Sequence, residues 1–407
     1  MKPGRPPRRA AAAPNARTRL LLFAAASPGI EGVAADEIAA LGAEAPQSTP
    51  GGVEFEGDFG DLCRANLALR SATRVLLRVA SFRAATFDEL RRRAARIPWE
   101  RFVAPGEALR LRVTCHKSRL YHSGAVAERV AAAAAERLGF APERAPGGSD
   151  DADEPGAGGP RTQLVVVRLD HDRCTVSADS SGDPLHRRGY REAAGKAPLR
   201  ETLAAALVLA SGWDARTPLL DPFCGAGTIA IEAALLARRL APGRARRFAF
   251  MHWSDFDAEC FARAAAEADA LAAAAPSPPP ILASDRDPGA IASARANASR
   301  AGVAGDIAFS QRTVSDVAPP PGPGVVVTNP PHGVRLSRGA DLRNLYAKLG
   351  QVLRARCPGW RVALLSPGPR LWNETGIALR PQLRVRHGGL PLALATGVVP
   401  GPARDAP

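Results

Sequence analysis

Four short, almost wholly apolar runs recur in the second half of the chain and constrain its fold more than any other feature. They are residues 218–220, 280–283, 325–327 and 362–365, and stretches with a helical pattern separate them. A strand that is apolar on both faces is usually buried on both, as in a parallel sheet covered by helices. From about residue 201 the chain is therefore predicted to form an α/β domain.

The first half of the chain has a different pattern, in which short strands alternate with helices. The predicted strands are residues 20–26, 52–56, 74–82, 109–113, 164–169 and 175–178, and the predicted helices are residues 30–41, 59–69, 87–97 and 123–138. The first strand follows five arginines and could mimic a signal peptide, but the turn-forming sequence after it favours a strand. The pattern predicts an α+β region of two small units, residues 19–80 and 81–180.

Composition marks the boundaries of these units. Residues 1–18 are basic and punctuated by proline, which predicts a disordered tail, and residues 141–161 are acidic and rich in glycine and proline, which predicts a surface loop or an insertion. A linker over residues 181–200 leads into the α/β domain, residues 201–400. Because no window approaches 18 uncharged apolar residues, no membrane-spanning helix is predicted.

The net charge of +14 favours a polyanionic partner. Only four of the 54 basic residues are lysine, however, so a GC-rich genome explains the charge equally well. We expect the first half and the linker to carry RNA affinity, and an ordinary solvated basic surface is the alternative for each cluster. The candidate phosphate contacts are Arg91, Arg92, Arg93 and Arg96, then Arg110, Arg112, Lys117 and Arg119, then Arg187, Arg188 and Arg191.

The first apolar run of the second half leads to Asp221 and then to a glycine loop and a helix. Gly225 and Gly227 allow the backbone to turn tightly and to approach a ligand closely. A dinucleotide site would have a third glycine where this chain has Ala230, and Asp221 would repel phosphates. The loop is therefore predicted to bind a ligand with a cationic group.

Two further strands also end in polar residues. Asp285 ends the second, where a carboxylate can accept both hydroxyls of a ribose, and helix capping is the alternative. After the third strand, the prolines in Asn329-Pro-Pro-His332 remove backbone donors and leave carbonyl acceptors, to which Asn329 adds an amide oxygen. Such a turn can hold the exocyclic amino group of a base, with the ring of His332 stacked on that base.

These motifs resemble a class I S-adenosylmethionine-dependent methyltransferase of the amino-group type, which has a Rossmann-like fold. Residues 185–191 and 197–203 are similar to the linker of THUMP-domain RNA methyltransferases, which form N2-methylguanosine in rRNA or tRNA. Residues 27–31, 51–57 and 69–74 are similar to the ferredoxin-like domain of that family. The likeness covers about residues 20–400 and is greatest to the large-subunit rRNA enzymes. It implies a ferredoxin-like domain at 19–80, a THUMP domain at 81–180 and a methyltransferase domain at 201–400.

The resemblance also implies a cofactor, a substrate and a set of site residues. The cofactor is S-adenosylmethionine without a metal, and the substrate is the N2 amine of guanine in rRNA or, as the alternative, tRNA. The implied catalytic residues are Asn329, Pro330 and His332, and the implied cofactor-binding residues are Asp221, Phe223, Gly225, Gly227, Thr228, Asp285, Thr313, Asp316 and Asn329. His332 stands where the family usually has Tyr or Phe. Thr313 stands where the family often has an acid, so either Thr313 or Asp316 would meet the adenine amino group.

Other functions explain less of the sequence. A pyrimidine C5 methyltransferase with Cys224 or Cys357 as nucleophile is disfavoured, because Cys224 lies in the glycine loop after Asp221 and Cys357 lies in a turn rich in arginine and proline. A DNA adenine methyltransferase shares the Asn-Pro-Pro turn but does not explain residues 20–195, and a serine hydrolase would need a Gly-x-Ser-x-Gly motif that the chain lacks. An RNA-binding protein without methyl transfer is the non-enzymatic alternative.

The cysteines and histidines show no metal-ligand spacing. The six cysteines are scattered, which favours reduced thiols in a cytoplasm. Five histidines have no paired spacing and are expected to be ordinary surface or core residues: His116, His122, His171, His252 and His387.

Overall fold

The computed structural model describes residues 19–145, 161–191, 199–332 and 342–401. These residues form two mixed α/β halves, each built on one β-sheet. The predicted basic tail, most of the predicted insertion and residues 192–198 of the linker lie outside the described residues. Among the described helices, none has both the length and the apolar character that crossing a membrane requires.

The first half contains an eight-stranded sheet and four helices. Its strands are β1 Leu20–Ala26, β2 Gln47–Thr49, β3 Gly52–Gly57, β4 Ala72–Arg83, β5 Ala108–His116, β6 Glu143–Arg144, β7 Thr162–Asp170 and β8 Arg173–Asp179. Its helices are α1 Glu31–Ala40, α2 Phe59–Ala68, α3 Phe87–Ala94 and α4 Ser123–Leu138. The predicted strands and helices of this half are confirmed, whereas the two short strands β2 and β6 were not predicted.

The two units predicted in this half share one sheet, whose order is β2-β3-β1-β4-β8-β7-β5-β6. The predicted boundary after residue 80 falls inside β4, which pairs with β1 on one side and with β8 on the other. The pattern did not reveal this pairing because it joins distant positions, such as Leu76 and Asp179.

The second half contains a seven-stranded sheet with helices on both faces. Its strands are β9 Leu219–Asp221, β10 Ile281–Asp285, β11 Ile307–Gln311, β12 Val325–Thr328, β13 Arg361–Ser366, β14 Arg380–His387 and β15 Leu390–Val398. Its helices are α5 Glu201–Ala210, α6 Thr228–Ala237, α7 Ala258–Ala273, α8 Pro288–Ala301, α9 Leu342–Arg356 and α10 Pro369–Trp372.

The order of this sheet, β11-β10-β9-β12-β13-β15-β14, places the predicted polar residues together. The first five strands in that order are parallel, and β15 and β14 form an antiparallel hairpin at the end. From β9, the next two strands in the chain are added on one side and the later strands β12 and β13 on the other. The order therefore reverses between β9 and β12, and ligands bind at such a point in parallel sheets. Asp221, Asp285 and Asn329 therefore lie together at the carboxyl ends of the parallel strands, which we call the polar edge of the sheet. The predicted parallel sheet is confirmed, and β11 and the hairpin were not predicted.

A buried ion pair in the linker joins the two halves. Arg188 Nε donates to Glu232 Oε1 at 2.9 Å, and Arg188 Nη2 donates to the carbonyl oxygen of Arg70 at 2.6 Å. The hydroxyl of Tyr190 donates to the same Glu232 oxygen at 3.0 Å. The prediction that Arg188 contacts RNA phosphates is therefore wrong, because its guanidinium is buried against a carboxylate within the protein.

The predicted phosphate contacts on and after α3 are accessible. Arg91, Arg92, Arg93 and Arg96 are all exposed, and Arg91 also forms an ion pair with Glu136 on α4. Their contact with RNA phosphates remains a prediction.

The turn between β1 and α1 packs directly on the backbone of the edge strand β14. Gly29 has a φ of +95°, and a Cβ built on it would lie 1.6 Å from the carbonyl oxygen of Arg384. Only glycine fits this contact between the halves. Gly42 has nearly the same φ, +92°, but no heavy atom of the described residues lies within 4 Å of a Cβ built there.

We expect Gly29→Ala to lower the melting temperature more than Gly42→Ala does. Both variants place an L side chain at positive φ, which costs about 1–2 kcal/mol, but only the first also forces the turn away from β14. Thermal unfolding by calorimetry measures both. Equal shifts in the two variants would contradict the contact.

Candidate active site

Asp221 ends β9 and lies at the centre of the polar edge. It is 1% exposed, and its Oδ1 accepts hydrogen bonds from Thr328 Oγ1 at 2.7 Å and from the backbone N–H of Phe223 at 3.2 Å. Thr328 ends the neighbouring strand β12, so the first bond joins the two strands where the order reverses. Burial, with a smaller contribution from the charge of Asp285, raises the pKa of Asp221 to about 7.

The glycine loop follows Asp221 in the chain and is hydrogen-bonded to Asp285 at the end of β10. Gly225 and Gly227 both have positive φ, and the N–H of Gly225 donates to Asp285 Oδ2 at 3.0 Å. A Cβ on Gly227 would lie 3.0 Å from the Cβ of Ala294, so this glycine permits close packing with α8. A Cβ on Gly225 would meet no heavy atom of the described chain within 4 Å, which leaves space for a ligand beside the loop.

Asp285 is partly exposed, and helix capping does not explain it. Its Oδ1 accepts the backbone N–H of Asp287 at 3.0 Å. Asp287, and not Asp285, caps α8, because Asp287 Oδ1 accepts the N–H of Gly289 at 2.8 Å. The carboxylate of Asp285 is therefore available to a ligand.

The Asn-Pro-Pro-His turn follows β12 and carries an unsatisfied acceptor. Asn329 Oδ1 is buried and accepts no hydrogen bond from any described residue. Leaving a buried acceptor unsatisfied costs about 1–3 kcal/mol, so this position suits a donor supplied by a ligand. The turn was also predicted to leave the carbonyl of Pro330 free, but that oxygen lies 2.9 Å from His332 Nδ1. One of its two lone pairs is thus used within the turn. Gly333, which follows this turn, lies outside the described residues.

Thr313 and Asp316, which the sequence left as alternatives, form a pair. Both are exposed beyond the end of β11, and Thr313 Oγ1 donates to Asp316 Oδ2 at 2.7 Å. The hydroxyl of Thr313 therefore orients the carboxylate of Asp316.

The side chain of Thr228 forms a hydrogen bond within the protein, and its role in cofactor binding remains a prediction. It is buried at the start of α6, and its Oγ1 accepts a hydrogen bond from Arg191 Nη2 at 2.9 Å. Arg191 also donates to the carbonyl oxygen of Leu199 at 2.8 Å. The side chain of Thr228 thus connects the linker to the helix that follows the glycine loop. The guanidinium of Arg191 is bound within the protein, which argues against its predicted contact with a phosphate.

Sequence reasoning missed two residues that shape the site. Thr328 holds Asp221, and Asn297 on α8 donates from Nδ2 to the carbonyl oxygen of Ala226 at 3.0 Å. The position of Thr328 directly before Asn329 was the available signal for the first. Of the predicted residues, Phe223 is partly buried and packs on the apolar cluster beneath the β12–β13 side of the sheet.

Burial disfavours both candidate nucleophiles of the pyrimidine C5 methyltransferase alternative. Cys224 and Cys357 are buried free thiols, and burial raises the pKa of both, to about 11 for Cys357. A neutral thiol is a poor nucleophile, which argues against the pyrimidine C5 mechanism.

Two histidines without paired spacing come together at a distance from this edge. Nδ1 of His116 and Nδ1 of His171 lie 2.9 and 2.8 Å from Asp170 Oδ1, at the tip of the β7–β8 hairpin.

The parallel sheet with its final hairpin, the acid and glycine loop after β9 and the Asn-Pro-Pro turn after β12 define a class I methyltransferase. Residues 188–380 match the family described as RMKL-like, methyltransferase domain, and residues 21–76 match the RlmL ferredoxin-like domain.

Relatives extend this match over most of the chain. A candidate RNA methyltransferase of Synechocystis sp. is 34% identical over 373 residues, which cover 91% of this chain and 95% of that protein. The chain belongs to the RMKL-like methyltransferase family.

A longer relative and a solved structure are also similar. The ribosomal RNA large subunit methyltransferase K/L of Syntrophotalea carbinolica is 37% identical over 378 residues, which cover 90% of this chain but 52% of that protein. The chain thus spans about half the length of this relative. A candidate methyltransferase in complex with S-adenosylhomocysteine has a crystal structure with a TM-score of 0.81 and 28% identity, covering 95% of this chain and 99% of that one.

We expect Asp221→Asn to stabilise the protein more as the pH rises from about 4 to 7. A folded-state pKa of about 7 lies above the ordinary 3.8, so the stability that Asp221 contributes is complete below pH 3.8 and is lost by pH 7. The asparagine does not titrate and can still accept the bond from Thr328.

The difference in unfolding free energy between variant and wild type should grow by at most about 4 kcal/mol across this window, at about 1.4 kcal/mol per pKa unit. Urea unfolding at several pH values measures this difference. A difference in unfolding free energy that does not change with pH would show that burial does not raise the pKa of Asp221.

Proposed function

We propose that this protein transfers a methyl group from S-adenosylmethionine to the N2 amine of a guanine in structured RNA, with rRNA as the first candidate and tRNA as the second. The observation that carries the proposal is the buried, unsatisfied acceptor of Asn329 at the same edge as Asp221 and Asp285. The names of the K/L relatives support rRNA, and the S-adenosylhomocysteine in the related crystal structure supports the cofactor.

The residues at the ends of β9, β10 and β11 fit S-adenosylmethionine. Each oxygen of Asp285 accepts one backbone N–H, so both keep acceptor capacity for the ribose hydroxyls. Asp221 would offer its buried carboxylate to the ammonium group of the methionine part, beside Gly225. Asp316, oriented by Thr313, would accept from the adenine amino group. When bound, the cofactor supplies an electrophilic methyl group on a sulfonium.

The turn after β12 would hold the amine that is methylated. The lone pair of the guanine amine is conjugated with the ring, so orientation matters more than deprotonation. Asn329 Oδ1 would accept one amine hydrogen, and the second lone pair of the Pro330 carbonyl would accept the other. The chain thus contributes mainly by positioning.

His332 would stack on the base that leaves the RNA helix. Its Nδ1 lies within hydrogen-bond distance of Pro330, which fixes the ring relative to the turn that holds the amine. Stacking of an aromatic side chain on a base contributes about 1–3 kcal/mol, and a larger ring stacks better.

The choice of guanine over adenine rests on the similarity of the N-terminal half and the linker to the THUMP-domain enzymes. An Asn-Pro-Pro turn can hold either amine, so the turn itself does not discriminate. The assignment of residues 81–180 as a THUMP domain has the same basis and is part of the proposal.

We predict that Asn329→Ala lowers the turnover and that Asp285→Ala lowers the affinity for the cofactor. Asn329→Ala should lose most of the turnover while keeping S-adenosylhomocysteine affinity within a few-fold, because it removes only the acceptor for the amine. Asp285→Ala should weaken that affinity about ten- to a hundredfold, because charge-assisted bonds to the ribose are worth roughly 1.5–3 kcal/mol.

Calorimetry with S-adenosylhomocysteine and methyl transfer to rRNA separate the two effects. Asp287→Ala is the matched control, since it removes a nearby carboxylate that caps α8: it should cost about 1 kcal/mol of stability and keep the affinity. Equal loss of affinity in the Asn329 and Asp285 variants would contradict these roles.

We predict that His332→Tyr preserves or raises activity, whereas His332→Ala loses about 1–3 kcal/mol of base positioning. Single-turnover methyl transfer at saturating cofactor measures this loss. An alanine variant as fast as the wild type would show that the ring does not stack on the base.

A further inference from the structure

A cleft of about 770 Å³ lies where the first half of the chain meets the edge of the second sheet. One wall is the β1–α1 turn at Pro28 and Gly29, and the other is formed by the loop after β13 and by the β14–β15 hairpin. Its lining is mostly apolar and includes five prolines and Trp372. The contact of Gly29 with the backbone of Arg384 closes one side of the cleft.

The register of the sheet places this cleft beside the proposed amine site. Thr328 pairs with Leu364 on β13, and Ser366, two residues further along β13, pairs with Ala393 on β15. Ala393 in turn pairs with Arg384 on β14. Arg384 therefore lies in the same row as the Asn-Pro-Pro turn, three strand spacings away, or roughly 14 Å.

Two arginines give the cleft a positive wall. Arg384 and Arg386 line it, and neither forms an ion pair or a side-chain hydrogen bond with any described residue. Many other arginines of the chain are paired: Arg74, Arg91, Arg137, Arg188 and Arg238 each bind a carboxylate. An apolar slot with unpaired cations at its rim matches the chemistry of a nucleotide, which has an apolar face and an anionic phosphate.

We propose that this cleft binds an unpaired nucleotide of the substrate RNA, within about four nucleotides of the methylated one. The estimate follows from the distance of roughly 14 Å and a rise of about 3.4 Å per stacked nucleotide. The base lies against the proline-rich walls, and Arg384 and Arg386 hold the flanking phosphates. This inference rests on the proposed function, since it takes RNA as the substrate, and it assigns both halves of the chain to one RNA-binding site.

The test compares Arg384→Ala/Arg386→Ala with the matched double variant Arg239→Ala/Arg263→Ala. The control removes the same charge from two exposed arginines that lie outside the cleft and, within the described ranges, have no partner. The probe is large-subunit rRNA transcribed with 4-thiouridine.

The cleft variant should bind this RNA about tenfold more weakly than the control. The slope of log K against log salt should fall by about 1.4 in magnitude, or about 0.7 for each lost contact with a single-stranded phosphate. Calorimetry should give an unchanged affinity for S-adenosylhomocysteine. In the wild type, photocrosslinks mapped by mass spectrometry should fall on residues 379–393 or 367–373.

The outcomes separate this inference from the proposed function. If the wild type methylates RNA but the two double variants bind it alike, or if no crosslink maps to the cleft, the cleft assignment is wrong and the proposed function stands. If the wild type methylates neither rRNA nor tRNA while RNA binding still depends on Arg384 and Arg386, the proposed function fails; the cleft then stands as an RNA-binding site, without the predicted distance to a methylated nucleotide.

Discussion

The buried carboxylate of Asp221 is the constraint around which the polar edge is arranged. A carboxylate with 1% exposure needs fixed partners, and it finds them in Thr328 on the adjacent strand and in the backbone of the loop that follows. The bond to Thr328 fixes the end of β12, and therefore the start of the Asn-Pro-Pro turn, relative to the glycine loop. Asp285 attaches the same loop to β10 through Gly225. The proposed cofactor and amine sites are thus parts of one hydrogen-bonded unit.

The two halves of the chain act on this edge as a single body. The Arg188–Glu232 pair and the hydrogen bond of Arg191 to Thr228 connect the linker to α6, which begins directly after the glycine loop. On the far side of the sheet, Gly29 rests on β14. Apolar residues of both halves belong to one continuous core. An RNA held by the first half would consequently be presented to the edge in a fixed orientation.

The sequence predicted the parts of this structure that depend on local pattern. Local signals predicted the strands β9, β10, β12 and β13 and the helix Ser123–Leu138. The strands appear in the sequence as apolar runs, and the helix appears as apolar residues repeated with a helical period. β11 was missed because all but its first residue are partly or fully exposed, so that it lacks a continuous apolar run, and β14 was missed because its arginines obscure its pattern. Pairings over long separations, such as β4 with β8, leave no signal in a single sequence.

The same limit applied to the site. The strand-end residues Asp221, Asp285 and Asn329 could be singled out as candidates because polar residues after apolar runs are visible in the sequence. The partners of Arg188 and Thr228 were not, because they lie 44 and 37 positions away. The sequence alone does not distinguish an arginine that is buried against a carboxylate from one that is exposed and able to bind a phosphate.

The nucleoside product tests the central claim most directly. Large-subunit rRNA and tRNA from a strain that lacks this protein, incubated with the purified chain and isotopically labelled S-adenosylmethionine, can be digested to nucleosides and analysed by mass spectrometry. We predict labelled N2-methylguanosine, with rRNA as the better acceptor. Labelled N6-methyladenosine, or no label in either RNA from protein that binds S-adenosylhomocysteine, would contradict it.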